Sequence, residues 1–291
     1  LDASFLIQLV INGLVVGVIY ALIAMGLSLI FGVLEIVNFA HGEFYMLGAM
    51  GAYFLTANLG FGYWLTIAVV TVGAACVGYV LYETLLVSLR GESFERSILL
   101  TLGLSMVLQN MAVFLFTTTP KMLQTAYTYS NITLGTIRIP LLRVFALGLG
   151  LAAFGALYFI LYRTQAGKAM RGVAQNREAA LMVGIDPRAT SRLAVAIGIG
   201  LSGLAGAALA PIYAVHPLMG ASFVFKAFAI IIIGGLGNIS GAAIAAVLLG
   251  VLESMIGGFL PQVLVDGLAF GAMILILLIR PQGLFGRGVR V

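Results

Sequence analysis

The chain predicts an all-α fold, a polytopic membrane helical bundle, on three observations. Of its 291 residues, 62% are hydrophobic and only 9% are charged, where a soluble domain carries about 25% charged residues. Apolar runs close to the ~20 residues that cross a hydrocarbon core recur along the whole length. Its 37 glycines suit the close backbone contacts that small residues permit between helices in lipid. A water-soluble fold with so little charge could not cover its surface. The length suits a single transmembrane domain, 1–291, with no room for a large soluble one.

Uninterrupted apolar runs lie at 7–31, 63–87, 97–117, 141–162, 193–215 and 262–279, and two more, 33–58 and 222–257, are interrupted. This makes about eight apolar segments, two of them broken or re-entrant. Residues 1–8 lack the basic stretch and cleavage site of a signal peptide, so the first run reads as a retained membrane segment. Run 33–58 holds Glu35, Asn38, His41 and Glu43. A carboxylate near the bilayer centre costs about 2.5–3.5 kcal/mol on insertion scales, so this stretch should be protein-lined. Asn38 can cap a helix that starts after it, and Gly42 can take conformations closed to other residues. Glu35 and Glu43 can accept hydrogen bonds when ionised or donate when neutral. Two roles stay open for these groups: lining a polar translocation path, or bracing broken backbone.

Run 63–87 carries the single cysteine, Cys76, which reads as a small buried hydrophobe. One cysteine provides neither a disulfide framework nor a thiolate metal site, and two histidines, His41 and His216, are too few for a zinc protease. No metal is expected. Residues 88–96 form a polar loop, and parity puts 118–140 on the opposite side, where Tyr127–Ile139 can make a small β-hairpin.

The segment 163–192 holds Arg163, Lys168, Arg171, Arg177, Arg188 and Arg192 against only Glu178 and Asp186. Such a bias marks a cytoplasmic loop. Residues 175–183 are good helix formers, stopped by Gly184 and Pro187. The chain's one Gly-Lys, Gly167-Lys168, is followed by Ala169, so no phosphate-binding Gly-x-x-x-x-Gly-Lys-[Ser/Thr] loop exists. Any ATP must be handled by a partner, and no cofactor is expected.

Run 222–257 is too long for one ordinary crossing. The tail, with Arg280, Arg287 and Arg290, should also be cytoplasmic, yet three simple crossings after residue 192 would leave it outside. The conflict disappears if 222–257 enters and leaves on one side, or crosses twice. Its break lies at Gly234, Gly235, Gly237, Asn238, Ser240 and Gly241, where each helix glycine costs about 1 kcal/mol relative to alanine. Opposed half-helix ends carry partial charges that suit a zwitterion or polar solute. Two loose repeats, about 1–120 and 193–291, pair 7–31 and 33–58 with 193–215 and 222–257. The two breaks are expected to meet near mid-depth.

The string Glu178-Ala179-Ala180-Leu181-Met182-Val183-Gly184 resembles the loop by which bacterial ABC-importer permeases dock on their ATPases, although the usual continuation to Leu-Pro is absent. Nearly the whole chain resembles the branched-chain amino-acid ABC transporter permease family. The resemblance covers Gly13–Phe31, Val37–Ala49 with its Asn38-Phe39-Ala40-His41-Gly42-Glu43 string, Gly167–Gly206, Ile230–Gly250 and the Arg280–Gly286 tail.

That resemblance implies a multi-pass permease of the bacterial inner membrane, not an enzyme, importing branched-chain or other hydrophobic or neutral amino acids. It implies a homologous permease subunit, two cytoplasmic ATPase subunits and an extracytoplasmic solute-binding protein as partners. Coupling would run through Gly167, Arg171, Arg177, Glu178, Ala179, Ala180 and Gly184. The resemblance also leaves open an ABC permease for urea, short amides or other small carboxylates. An ion-coupled secondary transporter would instead use Glu35 and Glu43 as ion sites. A hydrolase built on Ser202 or Ser240 lacks the nucleophile elbow.

Overall fold

The computed structural model describes residues 3–89, 91–134 and 137–286. Helix α1 (Ala3–Leu34) has 32 residues, about 48 Å at 1.5 Å per residue, which exceeds a hydrocarbon core of about 30 Å. It ends at Glu35, an exposed residue with φ 58°. Residues 35–40 are not helical. Helix α2 (His41–Tyr53) follows and closes in a π-turn, Phe54–Asn58. Then come α3 (Tyr63–Thr84) and α4 (Phe94–Phe116), the latter capped by Ser93. The expected hairpin forms from β1 (Asn131–Leu134) and β2 (Ile137–Pro140), paired antiparallel. Helix α5 (Leu141–Arg163) leads to two short helices, α6 (Gln165–Gln175) and α7 (Arg177–Met182). The chain closes with α8 (Pro187–Leu209), α9 (Met219–Gly234), α10 (Ile239–Gly257) and α11 (Gln262–Ile279).

Six described helices, α1, α3, α4, α5, α8 and α10, are long and apolar enough to cross a membrane. The expected eight segments are not matched one for one. Run 33–58 is α2 with a non-helical lead-in, and run 222–257 splits into α9 and α10. These two lie antiparallel, with Lys226 beside Glu253 near one end and Gly234 against Gly241 at the other. The chain therefore doubles back at Gly235–Asn238, which brings the tail to the end of the bundle that bears α6 and α7. Arg287 and Arg290 lie outside the described residues.

Two ends of the bundle are thereby distinguished. At the basic end, Glu83 at the foot of α3 pairs with Arg188 and, at 2.9 Å, with Arg192. The tail is held there too, by Leu284 N–H donating to the Ile233 carbonyl at 2.7 Å. At the hairpin end, Gln8 Nε2 donates to the Arg138 carbonyl, Asn12 binds Arg143, and Lys121 pairs with Val215. Helix α1 therefore runs from the hairpin end to the basic end.

Glycines set how closely the central helices approach. Helix α1 lies antiparallel to α10, where a Cβ on Gly250 would come within 2.4 Å of Gly17 Cα. It crosses α8 at Gly26 and Gly198, where a Cβ on Gly26 would meet the Gly198 carbonyl oxygen at 2.5 Å. Helix α8 is buried between α1, α2 and α3. By contrast α3, α4 and α5 turn large apolar side chains outward, among them Val72, Leu99, Phe114 and Leu151. Cys76 also corrects an expectation: it is exposed, because α3 buries only the stripe that meets α8.

Candidate functional site

Two helices begin inside the bundle. Residues 35–40 climb back along α1 until His41, the first residue of α2, places its Nε2 3.2 Å from the Ile23 carbonyl. That is eleven residues short of the end of α1, about 16 Å in from the basic end. Ser202 Oγ donates to the His41 carbonyl at 3.1 Å, fixing the same turn to α8. Asn38 does not cap α2 directly. Its Oδ1 accepts from Ala40 N–H at 3.1 Å and folds the turn just before the helix.

Glu43 is fully buried in the first turn of α2. Its Oε1 accepts from Ser105 Oγ at 2.9 Å and from Gln109 Nε2 at 2.7 Å, both on α4. Its other oxygen lies against Gly220 in the first turn of α9, where a Cβ would come within 2.5 Å. A Cβ on Gly42 would likewise meet the Gly220 carbonyl oxygen at 2.2 Å. Gly42 is thus glycine for close approach rather than for an unusual backbone angle. The starts of α2 and α9 face each other across Glu43, and the positive ends of helix dipoles favour a carboxylate there. The residues His41, Gly42 and Glu43 tie α1, α2, α4, α8 and α9 into one joint.

The second predicted break lies elsewhere. Gly235 and Gly237 have φ of 98° and 75°, a tight turn only glycine takes easily. Asn238 Oδ1 caps α10 through Gly241 N–H at 3.0 Å, and its Nδ2 donates to the Phe285 carbonyl at 2.8 Å. Ser240 is exposed beside it. This turn packs against Gly32 and the tail at the basic end, so the two predicted breaks do not share a mid-depth cavity. The physical reason is length: the run holds a 16-residue and a 19-residue helix, and its glycines mark where they reverse. The segment that enters the interior in the second half is 210–218. Pro211, His216 and Pro217 are its sequence signals.

A group that sequence reasoning passed over sits on a cavity of about 550 Å³. The cavity runs along α1 from Phe5 at the hairpin end down to Tyr20, with Lys226 and Glu253 beside it. Lys226 Nζ is 3.0 Å from Glu253 Oε2 and donates to the Tyr20 hydroxyl at 3.0 Å. That hydroxyl in turn donates to Glu253 Oε2 at 2.9 Å. The Lys226 and Glu253 side chains are 12% and 7% exposed. Glu253 Oε1 has no hydrogen-bond partner among the described residues. Lone charges inside apolar runs, Phe225-Lys226-Ala227 and Leu252-Glu253-Ser254, were the available signal, since an intramembrane ionisable residue marks function by default.

Residues 9–278 match the family model described as the branched-chain amino acid transport system permease component. The chain belongs to this permease family. The BraD permease of the high-affinity branched-chain amino acid system of Pseudomonas aeruginosa is 30% identical over 97% of this chain and 96% of its own length. The LivH permease of Escherichia coli is 28% identical over the same shares. LivM of Escherichia coli is 27% identical over 91% of this chain and 67% of its own length. Among solved structures, PsaBC from Streptococcus pneumoniae in complex with Fab matches with a TM-score of 0.51 at 13% identity. It covers 93% of this chain and 91% of its own, a likeness of fold.

In this permease the basic end carries the predicted coupling residues. Gly167, near the start of α6, packs on the end of α5, where a Cβ would meet the Ile160 carbonyl at 2.2 Å. Arg171 lies over the Tyr162 ring at 4.7 Å. Asn176 caps α7 by accepting from Ala179 N–H at 2.9 Å, and Gly184, with φ 82°, ends the turn that follows. Helix α7 is shorter than the expected 175–183 because this cap separates it from α6. Ala180 is buried, Arg177 and Glu178 are exposed, and Leu181, Met182 and Val183 are 56%, 88% and 75% exposed.

Proposed function

We propose that this permease is the membrane subunit of an ATP-driven importer for branched-chain or other neutral amino acids. It sits in a bacterial inner membrane with its basic end in the cytoplasm. One observation carries the coupling: α7 presents Leu181, Met182 and Val183 uncovered, on a basic segment beyond the membrane helices. Exposed apolar side chains in an aqueous segment mark a docking surface, and an ATPase subunit is the occupant that fits an importer. Two such ATPases, a homologous permease and an extracytoplasmic binding protein complete the assembly, with solute selection mainly in the binding protein. ATP is bound by the partners, and this chain carries no catalytic group.

The two halves would act as inverted repeats, α1–α4 against α8–α11. Corresponding helices run in opposite directions, and α2 and α9 both begin inside the bundle. Inverted repeats that meet at broken helices are a common basis for alternating access. The Asn38–Glu43 joint would then hold the halves in register, while Glu178 and Gly184 transmit ATPase movement to α8.

The test is reconstitution with the co-expressed subunits in vesicles. Uptake of L-leucine should require ATP, and Glu178→Lys or Gly184→Trp should leave the complex assembled but lower uptake per ATP hydrolysed. Uptake driven by an ion gradient without the ATPases would overturn the reading.

A further inference from the structure

We propose that the Lys226–Glu253–Tyr20 cluster is a zwitterion site, holding the α-ammonium and α-carboxylate of an aliphatic amino acid inside a single permease subunit. This rests on the importer reading and adds a place for the solute. Glu253 accepts from the Tyr20 hydroxyl and the Lys226 ammonium on Oε2, and leaves Oε1 buried without a hydrogen-bond partner among the described residues. A carboxylate oxygen in a low-dielectric setting calls for a donor, ideally a charged one. Glu253 lines the cavity, and a turn of its carboxylate presents Oε1 to an incoming ammonium group.

The ion pair also matches a zwitterion as a whole. Lys226 and Glu253 stand 3.0 Å apart, comparable to the separation of charges in an α-amino acid. Antiparallel alignment sets ammonium to Glu253 and carboxylate toward Lys226, by charge attraction that needs no vacant donor on the lysine. Nearer the mouth, Arg143 adds a positive charge that attracts the carboxylate end of a solute entering from the hairpin end. The walls include Val16, Leu209 and Phe223, apolar surface for an aliphatic side chain. The volume, about 550 Å³, lies in the range of about 300–1,000 Å³ typical of small-molecule sites. A neutral amide or urea can donate to Glu253 and accept from Lys226, but it brings no formal charge to either and would gain less than a zwitterion.

The test uses the intact complex in lipid nanodiscs without nucleotide. Probes are L-leucine, isocaproate (the same skeleton without the ammonium) and isoamylamine (without the carboxylate). L-leucine should bind at least about tenfold tighter than either analogue, the scale of one charge-assisted hydrogen bond. Glu253→Gln should weaken L-leucine and isoamylamine by a similar factor without weakening isocaproate, abolishing the discrimination between L-leucine and isocaproate. Equal losses for all three probes, or an unchanged L-leucine affinity, would overturn the proposal.

Because Glu253→Gln could fail to fold, Val16→Cys in a Cys76→Ala background keeps the ion pair intact. Its alkylation by a thiol reagent should be slowed by L-leucine and not by the analogues. A rate indifferent to L-leucine sinks the site, and ATP-driven L-leucine uptake by the wild type in that same case would leave the importer reading standing.

Discussion

At the scale of single residues, two kinds of glycine do different work here. Gly235, Gly237 and Gly184 supply positive φ, whereas Gly42, Gly220, Gly26 and Gly198 let backbones touch. The second kind gives a direct prediction. Gly220→Ala pushes a methyl group to within 2.5 Å of Glu43 Oε2 and 2.8 Å of the Gly42 carbonyl oxygen. It should cost about 1–3 kcal/mol, as overpacking of a tight core does, and lower the thermal midpoint of the detergent-purified protein. Gly73→Ala, which meets nothing within 4 Å, is the control and should not. Glu43→Leu leaves Ser105 and Gln109 without their shared acceptor and should destabilise more than Glu43→Gln. Thermal unfolding of the pair checks the order. The Asn38–Glu43 string was legible in the sequence because polar groups in an apolar run must be satisfied by protein. Its partners on α4, Ser105 and Gln109, were not, since a hydroxyl and an amide are unremarkable in a helix until the fold gives them a carboxylate.

At the scale of elements, the local structure of segment 163–192 was read more closely than the position of the glycine turn. The basic bias of 163–192 and the Gly184 stop pointed to an exposed helical loop, and α6 and α7 lie there. The glycine run at 234–241 was taken for a mid-depth break because its composition says only that helices stop. Whether they stop inside the bilayer or at its edge depends on where the neighbouring helices begin. Helix α7 should tolerate loss of apolar surface without unfolding, since Met182 and Val183 are largely exposed. Met182→Glu with Val183→Glu should leave the thermal midpoint unchanged and reduce co-purification of the ATPase subunits, read by quantitative pull-down. Gly235→Leu should do the reverse. It forces a side chain onto a φ of 98° and toward Gly286 N, 2.7 Å away, so the midpoint should fall.

At the scale of the whole molecule, the helical membrane class followed from composition alone, and the parity argument left 222–257 either entering and leaving on one side or crossing twice; α9 and α10, running antiparallel, fit the second alternative. The inward start of α9 after 210–218 was hidden, because 193–215 reads as one apolar run although α8 stops at Leu209. Side-specific labelling checks the arrangement. In a Cys76→Ala background, Gln175→Cys and Gln282→Cys should react from one face of the membrane, and Tyr129→Cys and Leu59→Cys from the other. Reaction of Gln282→Cys on the same face as Tyr129→Cys would contradict the double pass. The crossing of α1 and α8 at Gly26 and Gly198 has a mechanical consequence. Interdigitated side chains act as gear teeth, and turning one helix against another makes each tooth change rotamer. At this crossing backbone meets backbone, and Ile30 sets its side chain against Gly198. On the inverted-repeat reading proposed above, the two halves would turn about that point with few interlocking side chains to resist them. A bulky residue at Gly198 would therefore act as a brake, slowing turnover at saturating solute more than it weakens solute binding.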